Sequence, residues 1–450
     1  MSEPKDPTLR VTDVLLRAIV PVVAFGIAMP PATAFGAAAD KPAVGRPGVR
    51  IIGVPWRRHA IDASSRGADG VRLLDIDGDG DRDAVSAWEE GGLVRIYRHP
   101  PAAACRHPWP AVTVGRVGSP EDAVLVDLDR DGAVDAVSCC EGRTRSVFLH
   151  RAPAPATTPA YWNPRRWRTI CPSATKDRGM WMFCEPVDVN GDGRSELFVG
   201  AKGAGAVIGC LQSPHRVWDP ATWHFRELHR VGWVMSLIAA DRDGDGRMDL
   251  LVSDRRGSTS GVFWLLAPNR SPRSGGGNHA SAAARRMDVW RRHDVGALGE
   301  EVMFLHLADL DRDGTPEVIA AIRPRTVAVF RRSGSGHVCH RVELATEAIG
   351  TMKSVRIARW GTDGRPRVVV SCEHADGMRR GVFWFFWDEI DRSELLLHDI
   401  SGPVGVKFDL LQLDDVDADG DPDVLTCEER TNLGVLWYEN PAVRAERTQH

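Results

Sequence analysis

Apolar positions along this chain fall in short runs, and one arrangement of them recurs: a short apolar segment, an acidic stretch of nine residues, then a second apolar segment. The copies read Leu73-Leu-DIDGDGDRD-Ala-Val, Leu125-Val-DLDRDGAVD-Ala-Val, Pro186-Val-DVNGDGRSE-Leu-Phe, Ala239-Ala-DRDGDGRMD-Leu-Leu, Leu307-Ala-DLDRDGTPE-Val-Ile and Leu413-Asp-DVDADGDPD-Val-Leu. The flanks are short and several are rich in Val, so they predict strands rather than helices, and each copy is expected to be a hairpin around an acidic turn. A seventh, degenerate copy, Ile357-Ala-RWGTDGRPR-Val-Val, falls in register between the fifth and the last.

The loops lie at 75–83, 127–135, 188–196, 241–249, 309–317, 359–367 and 415–423, a period of 50 to 68 residues. That is too long for a solenoid repeat and suits a four-stranded propeller blade. After most hairpins comes a strand carrying aromatics, such as Val94-Arg-Ile-Tyr, Val262-Phe-Trp-Leu-Leu or Val435-Leu-Trp-Tyr; in several blades a strand opening on Trp56, Trp167, Trp223 or Trp290 belongs to the next slot. The default role of these tryptophans is packing between blades. The last aromatic strand stops near Pro441, and the stretch at Trp56 is of the type that should follow it. The expected fold is therefore all-β, a seven-bladed β-propeller over residues 41–450 whose N-terminal strand completes the last blade.

The loop frame D-x-[DN]-x-D-G-x-x-[DE] has a chemistry set by its spacing. Position one is Asp75, Asp127, Asp188, Asp241, Asp309 or Asp415; position three is Asp77, Asp129, Asn190, Asp243, Asp311 or Asp417. Position five is Asp79, Asp131, Asp192, Asp245, Asp313 or Asp419; position nine is Asp83, Asp135, Glu196, Asp249, Glu317 or Asp423. A tight turn, allowed by Gly at position six, brings these side chains toward one point. Four oxygen donors without Cys or His select a hard cation, and Ca²⁺ suits them better than Mg²⁺, so about six structural calcium ions are expected. In the degenerate copy Arg359, Gly361 and Arg367 replace the first, third and ninth ligands while Asp363 and Gly364 persist. That blade is expected to bind no calcium, a guanidinium beside Asp363 holding the turn instead.

These residues resemble the FG-GAP/VCBS repeat family, the calcium-loop propellers typified by the head of integrin α chains and by many exported bacterial proteins. The resemblance covers roughly residues 50 to 441. It implies a binding face opposite the calcium loops, as in integrins, and leaves activity open, since one fold hosts many functions.

Hairpin residues equally far from the loop lie at the same end. Six beyond position nine come Glu89, Glu141, Lys202, Arg255, Arg323, Glu373 and Glu429; six before position one come Asp69, Glu121, Met182, Met235, Met303, Lys353 and Asp409. Around the ring, blades six, seven, one and two are acidic and blades three, four and five basic, with Met residues and the nearby Trp181 and Trp233 on the basic arc. This half-acidic, half-basic mouth is the candidate ligand site. The expected activity is a ligand-binding or protein-interaction scaffold with no catalytic residue assigned. A polysaccharide lyase or glycoside hydrolase using the acidic arc is the alternative.

Composition adds the partner and the compartment. The chain has 57 Lys and Arg against 61 Asp and Glu, a formal charge of −4. The six intact loops hold 23 of those carboxylates at ligand positions, leaving 38 elsewhere, and six Ca²⁺ would carry the whole chain to +8. A basic calcium form points to a protein or an acidic glycan as partner. Nucleic acid is not expected, and the chain is expected to be monomeric. Residues 1–40 read as an export segment, since Ala18 to Ala39 carries no ionisable side chain and ends in small residues. The expected location is extracytoplasmic (periplasmic, secreted or cell-surface), with membrane association only if that segment stays uncleaved. Nine cysteines with no C-x-x-C argue against a thioredoxin-type motif and read mostly as buried thiols, and Ser271 to Ala284 reads as a surface insertion between blades four and five.

Overall fold

The computed structural model describes residues 47–268 and 289–441; the expected export segment and the 271–284 insertion lie outside them. The described residues form seven sheets that follow one another around a ring. Blade one takes the strands Ala68–Leu74, Asp83–Trp88, Leu93–Tyr97 and Ala111–Arg116, each antiparallel to the next, and blades two to five repeat that order. The innermost strands of blades one to seven pack on their neighbours in sequence, and that of blade seven, Gln412–Asp414, returns to that of blade one. The ring is closed, so the chain is a seven-bladed β-propeller. Each acidic loop joins the first two strands of its blade, as the apolar flanks predicted.

Closure runs as the phase of the repeats required. The strand Arg57–Asp62 pairs antiparallel with Gly434–Glu439, Arg57 facing Glu439, and becomes the outer strand of blade seven. One strand earlier the chain does something the repeats did not announce. Gly48–Ile52 adds in parallel to Glu394–Asp399 and makes blade six five-stranded, with Val49 and Ile51 packed on the core and Arg50 reaching Glu394 at 3.2 Å. The N-terminal segment thus clasps two adjacent blades.

The core lies between blades, where the second strands of six blades are buried throughout and the third strands for most of their length. Trp56, Trp167, Trp223 and Trp290 are buried beside the outer strands, and Trp88, Trp181 and Trp437 have no exposed surface. The nine cysteines are free thiols, seven of them buried. Among the described residues no helix is long and apolar enough to cross a membrane.

One irregularity recurs where it positions the site. In blades one to six the innermost strand loses register with the second strand near the end away from the acidic loop, at Asp69/Arg72, Pro120/Asp122, Trp181/Phe183, Val234/Ser236, Val302/Leu305 and Met352/Ser354. A bulge leaves a residue unpaired and re-aims its side chain. At five of these six places a skipped residue is the one six before the loop: Glu121, Met182, Met235, Met303 and Lys353.

Candidate functional site

The acidic loops are built first by their own backbone. The carboxylate at position one accepts the amides of positions four or five and six, as in Asp188 with Gly191 and Gly193, both at 2.7 Å, or Asp309 with Asp313 and Gly314 at 3.1 and 3.0 Å. Position five accepts the amide of position seven, from Asp79 with Asp81 at 3.0 Å to Asp313 with Thr315 at 2.8 Å. Position nine ties the loop to the end of the third strand: Asp135 accepts Leu128 N at 3.0 Å and Ala152 N at 2.8 Å, and Asp423 accepts Val416 N and Asn440 N likewise. Burial, with the neighbouring loop carboxylates adding to it, raises the position-nine carboxyls: Asp83 to about 6, Glu196 to about 7, Asp135 and Asp423 to about 8.

Position three stands apart. Oδ1 of Asp77 and of Asp129 are buried and accept no hydrogen bond. In blades one, two and four, positions one, three and nine each bring an oxygen within 4.8 Å of the others. In the degenerate loop Arg367 at position nine grips Asp363 at position five through both nitrogens, at 3.0 and 2.8 Å, and Arg359 at position one donates to Leu310 O at 2.6 Å. The turn is held by a guanidinium fork.

At the other end of the hairpins the innermost strands open on a cavity of about 310 Å³ at the ring axis. Of the residues expected on this face, Glu89, Glu141, Lys202, Trp233, Arg255 and Glu373 line it, together with Asp69, Glu121, Met182, Met235, Lys353 and Asp409. Its floor includes Phe183 and Phe304; Arg72 stacks 4.0 Å over Phe183 and forks onto Asp122 at 3.0 and 2.8 Å. Arg323 and Glu429 share the face without lining the cavity: Arg323 pairs with Glu373 and Glu301, Glu429 with Lys407. Trp181 and Met303 correct the expectation. Both are fully buried, Trp181 between blades two and three with its ring 5.6 Å from Phe225, so neither meets a ligand.

Ion pairs join neighbouring blades both within and between the expected halves of opposite charge. Lys202 of blade three pairs with Glu121 and Glu141 of blade two, Lys353 of blade six with Asp409 of blade seven, and Arg255 of blade four with Glu301 of blade five at 3.3 Å. The carboxylates outnumber these cations, and several of them are shifted upward. Burial raises Asp69 well above the carboxylate range, helped by Asp409 and Glu121; burial and Glu141 hold Glu121 at about 8 against the pull of Lys202. Glu89 is raised by burial and by Glu429 and Glu141. Asp409 goes the other way: its burial is outweighed by Lys353, which brings it to about 2. On the basic arc Lys202, Arg255 and Arg256 stand 4.8, 4.5 and 4.7 Å from the Trp233 ring.

Equal spacing from the loop missed Lys407 and Glu301, which break the charge segregation. Both lie eight residues before their loops. The shift in register is the reason: the bulge of blade five adds residues to its inner strand, and in blade seven Phe408 bridges Glu428 one step out of register with the Gln412–Leu425 pair, so offsets six and eight both end at the mouth. In blade four the offset-eight residue is Trp233.

Residues 188–252, spanning the acidic loops of blades three and four, match the family model of the FG-GAP-like repeat. That match and the closed ring of seven hairpin-loop blades fit an FG-GAP-repeat propeller. Among solved structures it is similar to BBS1N, crystallised in complex with ARL6DN and soaked with lead, at 12% identity and a TM-score of 0.46 over 86% of this chain and 98% of that one. It is similar also to Raptor of Chaetomium thermophilum, at 12% identity and TM-score 0.44 over 84% of this chain and 29% of Raptor. A chain of the mitotic checkpoint complex gives 12% identity and TM-score 0.45 over 94% and 99%. No curated protein matches the sequence.

Proposed function

We propose that this propeller is an exported interaction scaffold that docks a protein partner over the axial mouth, with calcium as a structural ion in its acidic loops. One observation carries the reading: bulges in successive inner strands aim charged and apolar side chains from separate blades into a single cavity. A concave site with an apolar floor and a few fixed charges is what recognition of a side chain or short segment requires. Glu141, Glu373 and Glu429 pair with Lys202, Arg323 and Lys407, which fixes their charges for docking a partner. An acidic glycan is the second partner class, suited by Arg255, Arg256 and Trp233.

The loops fit a hard cation by donor set and by the buried, unpartnered Oδ1 atoms of Asp77 and Asp129. Positions one, three, five and nine would hold it, and the ion would cancel the mutual repulsion of those carboxylates. Binding to the folded state alone stabilises it, so chelation should lower stability.

The docking reading is tested by selecting peptides from a random library against the immobilised mature chain in calcium, then measuring affinity by interferometry. Selected peptides should lose at least about tenfold affinity on Trp233→Ala and on Lys202→Glu with Arg255→Glu, and lose nothing on Arg57→Glu, on an exposed outer strand. Peptides indifferent to the mouth variants would sink the docking assignment; alginate bound with the same dependence, and no peptide, would move it to the glycan.

A further inference from the structure

Trp233 lines the mouth on a backbone that is held rigidly. Asp254, with no exposed surface, accepts Trp233 N at 2.8 Å and Gly232 N at 3.1 Å, and Arg255 N donates to Trp233 O at 2.7 Å. Gly232 is required there, because a Cβ would lie 1.8 Å from Arg256 O. A buried carboxylate committed to two backbone amides fixes the ring before any partner arrives. Yet the indole N–H of Trp233 is itself buried and donates to nothing. A buried donor without an acceptor is costly to keep, and a partner that supplies the acceptor removes that cost.

The cations around the ring are short of acceptors as well. Lys202, Arg255 and Arg256 crowd it, and Lys202 is engaged by Glu121 and Glu141. Among the described residues Arg255 and Arg256 have one carboxylate between them, Glu301, and they share it with Arg323. Arg323 Nε stands 2.9 Å and Arg255 Nε and Nη2 3.3 Å from its Oε2, and Arg256 Nε 3.8 Å from its Oε1. Arg255, 9% exposed, thus directs two of its nitrogens at an oxygen that Arg323 holds more closely. Burial, with Arg256 adding to it against the pull of Glu301, lowers the pKa of Arg255; burial and Arg255 likewise lower that of Arg323. Guanidiniums that repel one another where water is scarce favour a further anion.

We infer that the basic arc is a carboxylate site that takes an aspartate or glutamate side chain of the docked protein, its oxygens accepting from the Trp233 indole N–H and from Arg255, with Arg256 closing on it from the rim. The neighbourhood favours a polypeptide over a uronate. Leu298, 58% exposed, stands on the turn that leads to Glu301, and Met378, 74% exposed, on the loop after Glu373. Apolar side chains flanking a charged anchor are covered by a protein surface and left wet by a sugar.

That the carboxylate belongs to a protein rests on the docking reading; the site itself does not, and the test keeps the two apart. The chain is isotopically labelled at its tryptophan indoles and observed by NMR, with Trp233→Phe, which keeps a ring and removes the N–H, identifying the Trp233 signal. The probes are N-acetylglutamate α-amide, its glutamine counterpart and glucuronate. The glutamate probe should move the Trp233 signal downfield and saturably, and the glutamine probe should not. Arg255→Gln should weaken that response at least about tenfold, while Arg255→Lys keeps part of it. Arg256→Gln, at a side chain 55% exposed, should lose part of the response without loss of fold. A signal that stays put with glutamate, or moves equally with glutamine, overturns the inference; a response to glucuronate roughly tenfold tighter overturns the assignment to a protein side chain. Peptides selected at the mouth should depend on an Asp or Glu, whose replacement by Asn or Gln costs at least about tenfold in the parent chain and no more than about twofold in Arg255→Gln. Mouth-dependent peptides without such a residue overturn the inference and leave docking standing. A Trp233 response with no mouth-dependent peptide supports the site and sinks docking instead.

Discussion

Replacing Arg367 removes the group that holds the degenerate sixth loop, and the structure gives the size of the loss. Arg367 is 6% exposed, forks onto Asp363 at 3.0 and 2.8 Å, and lies 4.7, 5.4 and 4.8 Å from the rings of Trp360, Trp384 and Phe386. Three cation–π contacts at roughly 0.5–1 kcal/mol each, with an ion pair to a partly exposed carboxylate worth about 0.5–1 kcal/mol, give about 2–4 kcal/mol for Arg367→Ala. Arg367→Lys keeps the charge but loses the planar fork and the stacking, so it should recover less than half. The assay is urea unfolding followed by tryptophan fluorescence, the midpoint shift multiplied by the slope. Because the loop's counter-ion is covalently part of the chain, the loss should be the same in calcium and after chelation. A loss below about 0.5 kcal/mol, or one that calcium abolishes, would refute the reasoning by showing that a metal or nothing at all holds this turn.

Three further outcomes are expected. Burial alone holds His150 at about 3, and burial with Arg356 does the same for His306, so both are neutral in the fold while the unfolded chain takes up protons near pH 6.5. Stability is therefore fully present above that value and falls as pH drops toward 3; at pH 5 the two together should cost about 4 kcal/mol, and a His150→Gln, His306→Gln chain should show a flatter pH dependence of its unfolding midpoint. A chain starting at Pro55 loses only the fifth strand of blade six and should still melt cooperatively by circular dichroism, whereas one starting at Ala63 opens the ring and should not. Lys353→Met strands Asp409, 2% exposed, and should cost about 3–5 kcal/mol; adding Asp409→Asn should recover more than half, and a strictly additive double mutant would disprove the pairing.

The ring was legible because its signal is repeated. Six copies of one loop frame fixed the blade, and the order of strand types at Trp56 and Pro441 fixed closure, since the stretch at Trp56 is of the type that should follow Tyr438. Gly48–Ile52 was not legible, because a single parallel strand has no second copy to align with. The mouth was half legible. Counting equal distances from the loop assumes an unbroken ladder; it found Asp69, Glu121, Met182, Met235, Lys353 and Asp409, the side chains at the mouth end, but the bulge of blade five hid Glu301 and the shifted bridge at Phe408 hid Lys407. Trp181 shows the same error in the other direction. It neighbours Met182 in sequence, and alternation along a strand sends neighbours to opposite faces, so the bulge that turns Met182 to the axis leaves Trp181 in the interblade core.

Loop and mouth are opposite ends of the same hairpin, and their charges serve different purposes. At the loop end the carboxylates at positions one, five and nine are fixed by backbone amides that no substitution of a neighbour removes, so the repulsion that remains, position three included, is left to an ion, whether guanidinium or metal. At the mouth the carboxylates have no such amide network for the most part. Their repulsion is relieved by lysines from the next blade and by protons on Asp69 and Glu121, both of which a ligand can exchange. A cationic group entering the cavity would release those protons and an anionic one would compete for Lys202 and Arg255. Binding at this face should therefore be coupled to proton release or uptake, whose sign, read by calorimetry in buffers of different ionisation heat, reports the charge of the group that enters.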